Sequence, residues 1–468
     1  MEKDDMNIHF IAIGGSAMHN LAIALKQKGY TITGSDDEIF EPSRSRLERE
    51  GLLPERVGWF PQKITSSLDA VVLGMHARAD NPELLQAQQL GLKIYSYPEY
   101  LYEQTKDKTR VVIGGSHGKT TITSMVMHVL KSIGVDFDFM VGAQIDGFDN
   151  MVRLSESARF AIFEGDEYLT SPIDPRPKFH LYKPHIAVIS GIAWDHINVF
   201  PDFDTYRRQF EMFIQTIEPQ GHLFFCAEDP EVVRICKNAG SGVNAIPYTT
   251  HPHTVNFDCT ALITDHGQVS VKVFGIHNMQ NIAAAKGVCN QLGISDENFY
   301  NSISSFRGAA KRMQRVGRKN TTDVFLDFAH APSKVLATVK AVKDQYPYRK
   351  LVACLELHTF SSLNPDFLNE YKGTLDEADI PIVYYNPATL EHKKLPPIDP
   401  GMVKQKFDNP HLIVFTDPAL LHDHLLNSFW DNVNLLMMSS GNFSGIDVSE
   451  LAMSITEDDD FPGCYMDF

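Results

Sequence analysis

Arg110-Val111-Val112-Ile113-Gly114-Gly115-Ser116-His117-Gly118-Lys119-Thr120-Thr121 decides how this chain is read. A short apolar run enters a glycine-rich turn, Lys-Thr-Thr follows, and the spacing from Ile122 to Ile133 predicts a helix. A strand–loop–helix of this kind cradles phosphate. Its glycines let backbone N–H groups converge on phosphate oxygens, and the helix N-terminus adds partial positive charge. Lys119 is placed to reach the β- and γ-phosphates, and the Thr120 hydroxyl to bind Mg²⁺. The spacing is the short Gly115-x-x-Gly118-Lys119-Thr120, because Ile113 stands where the commoner pattern has its first glycine. ATP is the expected ligand, and a glycine-rich βα turn without nucleotide is the alternative.

Beyond this stretch, Phe160-Ala161-Ile162-Phe163 predicts a buried strand ending in Glu164-Gly165-Asp166-Glu167. Carboxylates at the carboxyl end of a strand beside a phosphate loop are where a Mg²⁺ ligand is expected; a solvated acidic turn is the competing role. Another apolar run from His185 to Ile192 precedes Trp194-Asp195-His196, where a neutral imidazole could complete the metal site. Asn278, Asn281 and Ala285 share one side of a small-residue helix, so the amides could read an adenine edge or brace a loop. Phe306-Arg307-Gly308-Ala309-Ala310-Lys311-Arg312-Met313-Gln314-Arg315 is the strongly basic cluster, expected either near phosphoryl charge or as a solvated linker.

The chain opens with its own βαβ pattern. Ile8-His9-Phe10-Ile11-Ala12-Ile13 is near-continuously apolar, Gly14-Gly15-Ser16 turns it into a helix to about Lys28, and a second strand runs from Tyr30 to Ser35-Asp36. Ser35 and Asp36 could accept hydrogen bonds from a ribose or base, or cap a helix. A third strand, residues 70–76, ends on His76, and the charged run from Glu103 to Lys108 reads as a linker. After the basic cluster, strands are expected at residues 323–328, 350–355, 380–385 and 433–438, with Asp327, His330 and the loop Ser439 to Ile446 at strand ends. The fold class is therefore α/β, in three domains: residues 1–106, Rossmann-like; 107–316, a phosphate-loop ATPase-like domain with a mostly parallel sheet; and 317–468, Rossmann-like again.

With 468 residues, two to four domains are the soft expectation. A net charge of −17 argues against wholesale nucleic-acid binding, yet permits a local basic pocket for an anionic substrate. No stretch approaches about 18 uninterrupted apolar residues, and Met1-Glu2-Lys3-Asp4-Asp5 lacks the order of a signal peptide. Six scattered cysteines without a C-x-x-C pair read as reduced, buried thiols. A cytoplasmic protein, monomeric or weakly dimeric and without a membrane partner, is expected.

Taken in order, these segments resemble the Mur ligases, ATP-dependent amide-bond ligases of peptidoglycan assembly. The resemblance runs through Gly115 to Thr121, Glu164-Gly165-Asp166-Glu167-Tyr168, Asp195-His196, His277-Asn278-x-x-Asn281, Phe306-Arg307-Gly308-x-x-Lys311-Arg312 and Asp327-Phe328-Ala329-His330-x-Pro332. It implies that Gly115, Ser116, His117, Gly118, Lys119, Thr120 and Thr121 bind ATP phosphates, with Asn278, Asn281, Arg312, Asp327 and His330 completing the ATP site. Thr120, Glu164 and His196 would hold Mg²⁺; Glu164 is preferred to Glu167 because it ends the apolar run, and Glu167 would support the site from behind the ligands. Lys119, Glu164, His196 and Arg312 are the candidate catalytic residues. Gly15, Ser16, Ser35, Asp36 and His76 would line a UDP-sugar site. The implied substrates are UDP-N-acetylmuramate and a murein peptide, L-Ala-γ-D-Glu-meso-diaminopimelate, with single L-alanine as the alternative amine.

The chain departs from the family in three places. No lysine lies between Lys183 and Lys237, so the carbamoylated lysine of several relatives is absent. Lys311 stands where relatives often carry arginine, and it lacks the bidentate fork. Residues 356–361, Glu-Leu-His-Thr-Phe-Ser, carry no arginine where relatives tend to be basic. Two rival classes are a nicotinamide dehydrogenase, which the missing G-x-G-x-x-G counts against, and a nucleotide-controlled binding protein without turnover.

Overall fold

The structure, a computed structural model, describes residues 6–145, 147–194, 199–237, 240, 242–256 and 259–456. The chain divides into two compact units: Met1–Ile192 with Asp204–Thr249 and Asn281–Ile303, and Ala193–Phe203 with Thr250–Gln280 and Ser304–Phe468.

The first unit holds three sheets among its described residues, the smallest being the antiparallel pair Leu169–Ser171 and Asp174–Pro177. In the N-terminal one, four parallel strands lie in the order Thr31–Ser35, Asn7–Ile11, Ala70–Leu73, Ile94–Ser96. The seven-stranded sheet runs Asn244–Tyr248, His222–Cys226, Ile186–Ile189, Thr109–Gly114, Phe160–Glu164, Phe137–Met140, Val152–Arg153, and is parallel except at its last pair. Thr109–Gly114 is thus a central strand, and its apolar run is buried on both faces, as parallel strands under helices are. Its carboxyl end faces out between Ile186–Ile189 and Phe160–Glu164, which brings the phosphate loop beside the acidic turn.

In the second unit a three-stranded antiparallel sheet of His253–Asn256, Cys259–Thr264 and Gly267–Val271 accompanies a six-stranded one. The latter runs Gln314–Lys319, Thr322–Asp327, Val433–Met438, Lys350–Glu356, Ile380–Tyr384, Ile413–Phe415, all parallel but for the opening hairpin. The mixed α/β class with mostly parallel sheets is as the sequence predicts.

Three local readings need correction. The phosphate-loop helix spans Lys119–Ser132 and so begins three residues before Ile122, because Lys119, Thr120 and Thr121 form its first turn. Residues 103–105 are the last turn of the helix Tyr97–Thr105, not linker. That helix is stabilised at its start by a reciprocal cap between Ser96 and Glu99. Finally, the basic cluster runs into the strand Gln314–Lys319, whose arginines are tied to buried Asp323 on the neighbouring strand.

The linker is fastened by Arg110. Its buried guanidinium donates to the carbonyls of Thr105, Lys106, Lys108, Tyr182 and Lys183, and pairs with Glu218 at 3.1 Å. Cys226, Cys236, Cys289 and Cys354 are buried free thiols, whereas Cys259 is exposed on the second unit's small sheet and Cys464 lies outside the described residues. Among the described residues no helix is long and apolar enough to cross a membrane.

Candidate functional site

The loop after Thr109–Gly114 is shaped by two glycines with positive φ, Gly115 at 138° and Gly118 at 78°. A side chain at Gly118 would also meet the Asn281 amide oxygen at 2.6 Å, so both conformation and space require glycine there. The loop is tied to the next strand end. Ser116 N–H donates to the Gly191 carbonyl at 2.9 Å, and the Ser190 hydroxyl donates to the carbonyls of Gly114 and His117. Ser116 Oγ and His117 Nδ1 lie 3.0 Å apart. Thr121 is buried in the first turn of the helix, whose N-terminal N–H groups carry the partial positive charge that suits phosphate.

Two carboxylates of the acidic turn divide between the lysine and the threonine. The Lys119 ammonium donates to Gly115 O at 2.7 Å and to Glu167 Oε2 at 2.6 Å. The Thr120 hydroxyl donates to Glu164 Oε1 at 2.7 Å, and Glu164 Oε2 accepts the Gly142 N–H at 2.8 Å. Asp166 turns instead to Lys178, 2.7 Å away. Burial disfavours the charged form of Lys119, but the Glu167, Asp166 and Glu164 carboxylates outweigh it and leave its pKa above the ordinary lysine value. From sequence, Glu164 is preferred as the metal ligand and Glu167 is left a supporting role behind it; in the structure Glu164 meets Thr120 and Glu167 meets Lys119.

Thr120 and Glu164 present hard oxygen donors at one strand end, the donor chemistry Mg²⁺ selects. His196, the proposed further ligand, and its neighbour Asp195 lie outside the described residues. Among the described residues no group of three or more His, Cys, Asp or Glu side chains is placed to hold a metal.

The N-terminal candidates meet at the carboxyl ends of their strands. Asp36 Oδ2 accepts the Gly14 N–H at 2.7 Å, and the Ser35 carbonyl accepts from Ala12 and Ile13. Asp36 therefore braces the turn into the helix Ser16–Gln27 rather than capping that helix, whose N-cap is Gly15. Burial is the largest influence on Asp36 and raises its carboxyl to about 6, with Gly14 opposing and Asp37 reinforcing. Ser16 is exposed at the head of the helix, and His76 is exposed in the turn after Ala70–Leu73.

A polar bridge joins this helix to the loop that braces Glu164. The Asn20 side-chain oxygen accepts from Met151 N–H and from Arg46, each at 3.2 Å, and its backbone carbonyl accepts from Asn150. The same Arg46 donates to Gln144 at 2.7 Å, two residues beyond Gly142.

In the second unit, Arg312, Asp327 and His330 come together. Asp327 accepts the N–H groups of Met313 at 2.6 Å and Ala329 at 2.7 Å, fixing the turn that carries Arg312. The Arg312 guanidinium stacks 4.6 Å from the Phe328 ring centroid, and His330 Nδ1 lies 2.9 Å from Phe328 O. Asn278 donates to Phe274 O at 2.8 Å within its own helix start. Sequence reasoning missed Tyr206, Ser190 and Gly142. Tyr206 shares the buried face of the helix Phe203–Gln215 with Phe210 and Phe213, a spacing that signals only core.

Residues 7–109 match the model described as Mur ligase family, catalytic domain, and residues 113–289 the Mur ligase middle domain. A UDP-N-acetylmuramate–L-alanine ligase of Clostridium kluyveri is 31% identical over 80% of this chain and 81% of its own length. A UDP-N-acetylmuramate–L-alanyl-gamma-D-glutamyl-meso-2,6-diaminoheptandioate ligase of Haemophilus influenzae is 28% identical over 94% of this chain and 97% of its own. The crystal structure of a UDP-N-acetylmuramate-alanine ligase from Thermotoga maritima superposes with a TM-score of 0.69 at 20% identity, covering 96% of this chain and 98% of that one, a likeness of fold.

Proposed function

The chain belongs to the Mur ligase family, ATP-dependent ligases that form C–N bonds, and from that premise we propose that it joins L-Ala-γ-D-Glu-meso-diaminopimelate to UDP-N-acetylmuramate. The observation that carries the reading is the gathering of Lys119, Thr120 and Glu164 at one strand end, within 2.6–2.7 Å of their partners.

In this reading the lactyl carboxylate attacks the γ-phosphorus of ATP, ADP leaves, and an acyl phosphate forms. The peptide amine then attacks the acyl carbon, loses a proton, and expels phosphate from the tetrahedral intermediate. The first step brings two anions together, so cations and N–H dipoles must be in place beforehand. Lys119 and the N–H groups of residues 115–121 hold the phosphates. Thr120, Glu164 and His196 would hold Mg²⁺, which neutralises phosphate charge when bound. Gly15, Ser16, Ser35, Asp36 and His76 would bind the UDP-sugar, and the resemblance assigns Asn278, Asn281, Arg312, Asp327 and His330 to the nucleotide.

The tripeptide reading is supported by the segments Glu164 to Tyr168, Lys178-Phe179 and Ser440 to Ile446, which resemble murein peptide ligase. The 31% identity with the Clostridium kluyveri enzyme favours a second reading, with L-alanine as the amine. The test offers both amines in parallel with ATP, Mg²⁺ and UDP-N-acetylmuramate and weighs the products. The tripeptide adduct is expected; an alanine adduct alone selects the second reading. Phosphate release indifferent to sugar and amine would defeat both.

A further inference from the structure

Lys119 is a flexible side chain whose task, on the proposed reading of the phosphate loop, demands one fixed position. Ordering such a long side chain costs rotamer freedom. An ammonium has three donors and no acceptor. Two of those donors are used, on Gly115 O and Glu167 Oε2, which leaves one N–H for a phosphate oxygen without breaking either bond.

Glu167 is itself fully buried, as is Tyr206, whose hydroxyl donates to Glu167 Oε1 at 3.1 Å. A buried carboxylate is costly unless it is paired and hydrogen-bonded. Here the pairing falls on the lysine, and the tyrosine fixes the carboxylate from a different element, the helix Phe203–Gln215. Glu164, by contrast, is engaged with Thr120 and Gly142.

We propose that Glu167, set by Tyr206, is a positioning residue for the ligation reaction, aiming Lys119 at the transferring phosphoryl group. The proposal rests on the reading of residues 115–121 as an ATP site. Glu167 also offsets the charge of Lys119, so it contributes alignment while moderating ground-state attraction for the triphosphate. Removing its charge should therefore slow turnover without weakening ATP binding.

The test is steady-state kinetics in the full chain, varying ATP with both co-substrates saturating. Glu167→Gln is expected to lower kcat roughly tenfold or more, with the KM for ATP unchanged or lower. Tyr206→Phe is expected to lower kcat by about threefold, and Glu167→Asp, which restores the charge, to recover part of the loss. Wild-type kinetics in Glu167→Gln, or a raised KM with unchanged kcat, overturns the proposal. Should Glu167→Gln fail to fold, Tyr206→Phe decides, and wild-type turnover there overturns it. Lys119→Ala separates the two layers: if it keeps full activity, the ATP-site reading falls and this inference with it. An inactive Lys119→Ala beside a wild-type-like Glu167→Gln removes the positioning role alone.

Discussion

The Thr120 hydroxyl donates to the Glu164 carboxylate across 2.7 Å, joining the first turn of the phosphate-loop helix to the end of the neighbouring strand. Both oxygens belong to rigid elements, so a cation between helix and strand would find its donors already ordered.

Glu164→Gln should retain the fold and lower ligation about 100-fold, because the amide loses the charge and one of the two oxygens that a cation could use, while its remaining oxygen can still accept the Gly142 N–H. Phosphate release titrated against Mg²⁺ checks this, and half-saturation should move to higher Mg²⁺. Unchanged Mg²⁺ dependence would remove Glu164 from the metal site.

Arg312 stacks on Phe328, which fixes the plane of its fork. Arg312→Ala should reduce kcat/KM for ATP by about 100-fold, and Arg312→Lys should recover little, since an ammonium cannot make the bidentate contact. Full recovery in the lysine variant would reduce the requirement to charge alone.

Asp36 is raised to about 6 by burial, whereas an unfolded aspartate titrates near 3.9. Across that window the folded chain binds more protons than the unfolded one, so this group makes stability decline as pH rises from about 4 to about 6. Denaturation midpoints at a series of pH values should show a shallower decline in Asp36→Asn, which keeps an acceptor for the Gly14 N–H. In the wild-type chain, UDP-sugar affinity should rise as the carboxyl ionises through about 6, and the asparagine variant should lose that dependence.

Arg110→Ala should cost about 3–5 kcal/mol in denaturant unfolding, because it strands buried carbonyls and leaves Glu218 without its partner. A loss under about 1 kcal/mol would mean that solvent reaches those carbonyls.

The strand–loop–helix at residues 109–132 was legible because its signals are local: an apolar run, glycines at fixed spacing and a lysine. Glu164 was legible for the same reason, as the polar residue ending a buried strand. Tyr206 was not, since its hydroxyl meets Glu167 only after a crossover of 39 residues, and its spacing matches ordinary core. The strand Gln314–Lys319 was hidden because its charges mimic a solvated linker until Asp323 on the paired strand is placed beside them. From sequence alone Asp36 reads as a ligand or helix cap, because its bond to the Gly14 N–H depends on the paired register of two strands.

The bridge from Asn20 to Met151 and from Arg46 to Gln144 has a consequence for inhibition. A compound wedged beside the first helix would tug on the segment that steadies Glu164, so its potency should change with the nucleotide already loaded. Escape substitutions against such a compound would then surface at Asn20 or Arg46, well apart in sequence from Glu164.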